Sequence, residues 1–166
     1  MKIIAILISL LTLCGCQQQL DIERLQLITS WSESGKVELY QGKASLPAAA
    51  NSSSKIIFKI QQQLDTDLNQ DGLMDKIIIL TVDTVGSGLF YYLYPVINDN
   101  TQAIAKEGVL IGDRVIIKNL SHHSNIITVQ YLKHTVEQSY SEHPQFESEL
   151  KWQWQQELVA IPTETP

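Results

Sequence analysis

From residue 36 onward the apolar positions fall into short runs separated by turn signals, the pattern of a strand-rich domain. Lys36–Tyr40 is a short candidate strand, and 55–64 opens Lys-Ile-Ile-Phe-Lys-Ile. The run 76–82 reads Lys-Ile-Ile-Ile-Leu-Thr-Val, continuous enough for a central strand. Further strands are expected at 89–97, 103–111, 115–120, 125–132 and 149–160. Asp71-Gly72, Gly86-Ser87-Gly88, Asn98-Asp99-Asn100 and Gly112-Asp113 punctuate them. Before this region, 21–31 is expected to form one amphipathic turn or a short helix on Ile22, Leu25, Leu27 and Ile28, broken by Ser30, Ser32, Ser34 and Gly35. The segment 46–54 reads as a loop, and 161–166, with two prolines, as a flexible tail. The fold class that follows is all-β, marginally α+β. It is a single antiparallel β-sandwich or barrel-like domain over 36–160, preceded at most by one short N-terminal helix.

The first residues follow another logic. Met1-Lys2 is a short positive segment, and 3–13 is apolar except for Ser9 and Thr12. Eleven residues at about 1.5 Å rise fall well short of a hydrocarbon core of about 30 Å. That length suits the apolar region of a secretory signal peptide. Leu13-Cys14-Gly15-Cys16 then resembles the lipobox of bacterial lipoproteins: an aliphatic residue, a variable one, a small one, then the cysteine that takes a diacylglyceryl group. Cys14 fits less well, because Leu13 would then occupy the small position. An ordinary signal peptide or a short anchor helix is the plainer alternative.

The resemblance implies a signal peptide over 1–15, cleavage before Cys16, and lipid (palmitate-type acyl chains) on Cys16 as the membrane anchor. It also implies a lipidated N-terminus and tether over 16–35, with the polar run Gln17-Gln18-Gln19. By the sorting rule of such lipoproteins, Gln17 in place of Asp directs a Gram-negative protein to the outer membrane, facing the periplasm. With Cys14 removed, Cys16 is the one thiol of the mature chain, which suits an oxidising compartment with no disulfide to form.

Cleavage leaves 151 of the 166 residues, a size for one domain with its own core. Twelve Lys and Arg stand against eighteen Asp and Glu, and losing Lys2 moves the formal charge from −6 to −7. No Lys/Arg run stands out along the chain, so nucleic acid and anionic lipid surfaces are not expected partners. No repeat of useful length is present.

The sharpest chemical feature is Asp67-Leu68-Asn69-Gln70-Asp71-Gly72-Leu73-Met74-Asp75. Oxygen-bearing side chains stand at positions 1, 3, 5 and 9, glycine at 6, and the Leu73 carbonyl serves as position 7. Calcium takes about six to eight such oxygens, and a tight loop turns alternate residues inward. The start resembles an EF-hand loop, but position 12 is Ile78 where that loop needs glutamate, and the flanks read as strand. The nine residues are more similar to the strand-flanked calcium loop of integrin-type propellers, here in a single copy. That resemblance implies calcium on Asp67, Asn69, Asp71, Leu73 and Asp75, with Asp65 as a possible addition. A bare hairpin turn on Asp71-Gly72 explains the same residues without an ion.

The 67–75 loop, the run from Gly86 to Leu93 and the run from Leu110 to Val115 follow one another in an order that resembles a group of small exported bacterial proteins with no assigned function. The likeness spans roughly 36–132 and implies one compact domain and no particular activity. Other candidates are weaker. Gly86-Ser87-Gly88 precedes a strand, so it is not a phosphate-cradling loop. His122, His123, His134 and His143 match no zinc spacing, and Ser121-His122-His123-Ser124 reads as a polar turn. No nucleophile-elbow motif is present. Trp152 and Trp154 share one face of a strand, as core residues or as an exposed stacking platform for sugars. Two classes of function are therefore expected. The first is a membrane-anchored envelope module that binds a protein or glycan, or has a structural role. The second is an envelope hydrolase acting on a cell-wall or surface polymer.

Overall fold

The computed structural model describes residues 20–50, 52–84, 86 and 88–162. The expected signal segment over 1–15, with Cys14, and Cys16 and Gln17 lie outside the described residues, as does the end of the expected tail from 163. The described chain is all-β. Its strands are β1 (Arg24–Ile28), β2 (Lys36–Tyr40), β3 (Lys43–Pro47), β4 (Lys55–Thr66), β5 (Asp75–Asp83), β6 (Leu89–Asn98), β7 (Ala103–Ala105), β8 (Val109–Asp113), β9 (Ile116–His123), β10 (Ile126–Lys133), β11 (Phe146–Trp154) and β12 (Leu158–Ile161).

The first sheet runs β1-β2-β3-β4-β5-β6-β7 with every neighbour antiparallel, and β8 adds to β6. It curls until β7 approaches β1, giving a nearly closed barrel. At the seam the Tyr94 hydroxyl donates to the Ile28 carbonyl at 3.0 Å, so a side chain supplies a bond at an edge that has no partner strand. The second sheet, β12-β11-β10-β9, lies against the outer face of the barrel at β5 and β6.

Two apolar cores result, and β5 serves both. Ile78, Leu80 and Val82 point into the barrel with Leu25, Leu27, Leu39 and Phe58. Ile77 and Ile79 point the other way, against Leu120, Ile127, Val129, Trp152 and Trp154 of the second sheet. Strand alternation allows this only where both faces are apolar, which is why 76–82 reads as an unbroken run. β4 divides its length instead. Ile56 and Phe58 belong to the barrel core, a bulge intervenes between Ile60 and Gln62, and Leu64 beyond it packs in the second core. The extra residue shifts the alternation by one and re-aims the rest of the strand.

Three sequence expectations are corrected. The helix over 21–31 is strand β1. Leu25 and Leu27 alternate inward between exposed Arg24, Gln26 and Ile28. A helix would turn Leu25 and Leu27 to nearly opposite sides and forgo the five-residue ladder with β2. The folded domain correspondingly begins before 36, inside the 16–35 segment expected as a tether, since Leu20 is already buried in the barrel core. The loop over 46–54 begins late, because 43–47 is strand β3, paired with β4.

Candidate functional site

The 67–75 loop is the turn of the long β4–β5 hairpin, and its own side chains wind it. Asp67 accepts the amide of Asp71 on Oδ1 at 3.2 Å and that of Gly72 on Oδ2 at 3.0 Å. Asn69 Oδ1 accepts the Asp71 amide at 3.1 Å, and Asp71 Oδ1 accepts that of Leu73 at 2.8 Å. Asn69 Nδ2 donates to Asp71 Oδ2 at 2.7 Å. Gln70 and Gly72 take left-handed backbone angles of φ 61° and 87°, which tighten the curl. Leu68, fully buried in the second core, pins the loop to the body.

Asp75 closes the loop and differs from the other acids. It is 0% exposed, and its two oxygens accept the amides of Leu68 at 2.9 Å and, 23 residues away, of Asn98 at 2.8 Å. Burial pushes its carboxyl above the usual range, and the negative charge of Asp71 adds to that. The amide bonds from Asn98 and Leu68 pull the other way.

The donor set is made of hard oxygens, which fits calcium, and a cation would relieve the repulsion between Asp71 and Asp75. The carboxylates are turned to loop amides, and among the described residues no three His, Cys, Asp or Glu side chains converge as a metal cluster. Asp65 is not available to the loop. It stands on β4 opposite Lys76, whose Nζ lies 2.5 Å from its Oδ1.

Lys76 is a feature the sequence hides inside an apolar run. It is 1% exposed, on the barrel side of β5, and borders an open cleft of about 760 Å³ at the barrel mouth. Leu20, Glu23, Gln41, Gly42, Ile60 and Gln63 also line this cleft.

The predicted polar turn at 121–124 is displaced. His122 belongs to β9, and the turn proper is Ser124-Asn125, with φ of 49° and 67°. The His122 Nδ1 bonds the Thr66 hydroxyl at 2.7 Å, while its Nε2 is buried without a hydrogen-bond partner. Burial, and then neighbouring His123, lower its pKa.

Trp152 and Trp154 do share a face, but it is the inner one. At 4% and 6% exposure they are core residues, the first of the two readings, and the alternative of an open stacking platform is set aside. The two runs of the longer resemblance meet directly. β6 pairs with β8, the Leu89 amide donates to Asp113 Oδ1 at 2.9 Å, and the Arg114 amide donates to the Leu89 carbonyl at 2.8 Å. No family model, curated protein or solved structure matches the chain.

Proposed function

We propose that the chain is an exported lipoprotein, held on a membrane through Cys16, whose β domain is a binding or structural module braced by calcium in the 67–75 loop. The observation that carries the calcium reading is the loop itself, which sets Asp67, Asn69, Asp71, the Leu73 carbonyl and Asp75 within nine residues around a turn tightened at Gln70 and Gly72. Asp67, Asn69, Asp71, the Leu73 carbonyl and Asp75 are the residues that would hold the ion. Calcium would supply charge neutralisation, and these residues wind the turn of the β4–β5 hairpin, beside which Lys76 pairs with Asp65 and Thr66 meets His122. The anchor reading is supported by Leu13-Cys14-Gly15-Cys16 and by the short distance in sequence from Cys16 to buried Leu20.

Thermal melting of the mature protein tests the calcium site. An exported, three-carboxylate loop is expected to bind weakly, with Kd about 10⁻³ M. Calcium at about 10 mM then adds about 1.4 kcal/mol, or roughly 3–6 °C in Tm. No shift, or an equal shift in Asp71→Ala, would remove the ion from the proposal. The anchor has its own assay: Cys16→Ser is expected to take up no labelled fatty acid, and continued labelling would move the site to Cys14 or end the lipoprotein reading.

A further inference from the structure

Lys and Arg are scattered along the chain, yet the fold gathers several on one wall. Across the barrel's outer face, Arg24 stands opposite Tyr40, Tyr40 opposite Lys43, and Lys43 opposite Lys59. Directly opposed residues on antiparallel strands share a face, and like charges so placed repel. Lys43 and Lys59 are exposed, and among the described residues neither forms an ion pair. Lys55 lies four residues further along β4 on the same face, beyond exposed Ile57. Tyr40 is 53% exposed, with the Arg24 guanidinium 5.3 Å from its ring centre. Glu38, paired with Arg24, and Asp83, opposite Ile57, flank the row. A wall of lysines with an exposed tyrosine and isoleucine, on a chain of formal charge −6, suits a negatively charged interface between water and apolar matter.

The second observation is distance. Leu20 is fixed in the barrel core, four residues after Cys16. Four extended residues reach about 14 Å at most. Leu20 lines the same cleft as Gly42 and Ile60, the immediate neighbours of Lys43 and Lys59. The cationic row thus stands at the tethered end of the domain.

We infer that the β2–β4 wall docks on anionic phospholipid headgroups, so that the domain lies against its membrane and does not swing on a leash. This rests on the lipid anchor proposed above. The consequence is an orientation: β5 and β6, across the barrel from β2 and β3, present the four-stranded sheet to the aqueous compartment. Repulsion between Lys43 and Lys59, unfavourable in the free domain, is relieved at the surface.

The test uses the mature protein on vesicles of neutral phosphatidylcholine, with or without phosphatidylglycerol. Flotation with neutral vesicles reads the anchor alone. Labelling with an amine-reactive ester, read by mass spectrometry, reports docking. Lys43, Lys55 and Lys59 are expected to be protected about fivefold on phosphatidylglycerol vesicles, and to regain labelling in about 0.5 M salt, where screening is short-ranged. Lys118 and Lys151 of the second sheet are expected to label equally on both.

The Lys43→Gln/Lys59→Gln variant should keep its flotation on neutral vesicles and lose the protection of Lys55. Equal labelling of Lys43 and Lys59 on the two vesicle types overturns the docking, whatever the flotation shows. Failure to float on neutral vesicles overturns the anchor; docking then stands only if the protein floats on anionic vesicles in low salt, and falls if it does not.

Discussion

Because β5 is shared, the two cores are expected to melt as one. Ile78 and Ile79 are neighbours in sequence, each 0% exposed, and they face opposite cores. Truncating a fully buried isoleucine to alanine costs about 2–5 kcal/mol, the spread reflecting how far the site collapses. Both sites sit between strands on either side, in the register Gln63–Ile78–Tyr94 and Gln62–Ile79–Leu93, so little collapse is open to them. A cost of about 3 kcal/mol for each of Ile78→Ala and Ile79→Ala follows, and near 150 residues this lowers Tm by roughly 6–12 °C.

Urea unfolding followed by tryptophan fluorescence and far-ultraviolet circular dichroism is the assay. Trp31 packs on the barrel core, and Trp152 and Trp154 lie in the other. Both variants are expected to show one transition, coincident by the two probes and with an unchanged m-value. Val159→Ala, at a partly exposed position on β12, is the control and should stay within about 0.5 kcal/mol. If Ile79→Ala released the second sheet in an early fluorescence step while the barrel's dichroism held, the reasoning from a shared strand would be wrong.

Asp65→Asn is expected to cost about 2 kcal/mol, less than the usual penalty for a stranded buried charge because Asp65 is half-exposed beside the cleft. Lys76→Met in the same background should recover most of that loss in chemical denaturation, and a failure to recover it would mean that Asp65 acts through something other than the ion pair. A Cβ on Gly108 would lie 2.4 Å from Tyr94 Cζ, so Gly108→Ala should destabilise by about 1–3 kcal/mol through displacement of the ring that closes the barrel seam; an unchanged Tm would show that the seam yields freely. Burial pushes the Tyr94 phenol up to about 12 from the ordinary value of 10.0. The unfolded chain therefore loses this proton first, and the stability linked to Tyr94 is full below pH 10.0 and is lost as pH rises towards about 12. Burial raises Tyr91 as well, so ultraviolet titration should show more than one late tyrosine, and Tyr94→Phe should remove the last step and leave that of Tyr91.

The strands with strong alternation or continuous apolar runs were legible in sequence because burial and period coincide there. β1 was not. Ile22, Leu25 and Ile28 also stand three apart, so the five-residue alternation competed with a helical spacing, and only the ladder with β2 decides between them. β3 carries alanine, serine and proline, which have little strand preference, and exists because β4 pairs with it. The run expected over 103–111 divides into β7 and β8 around Lys106-Glu107-Gly108, where the backbone crosses the Tyr94 ring. The 67–75 loop was legible as a motif, whereas the use of Asp75 as a clamp on the Asn98 amide depends on a neighbour 23 residues away. The Lys43–Lys59 juxtaposition escaped for the same reason, since no run of charge announces it.

The bulge at Gln61 also governs which changes of chain length the protein can absorb. The extra residue is the phase shift that lets β4 pack first inside the barrel and then outside it, and Gln61 itself is held by a 2.9 Å bond from its Nε2 to the Thr81 hydroxyl. Deleting Gln61 would restore a regular strand with the wrong phase. Leu64 would turn into the barrel, Asp65 would swing away from Lys76, and the following loop would lose its footing on the second core. Related sequences would therefore tolerate gained or lost residues in the exposed stretches 48–50 and 135–143, and keep the count between Phe58 and Asp67 fixed even where the residues themselves drift.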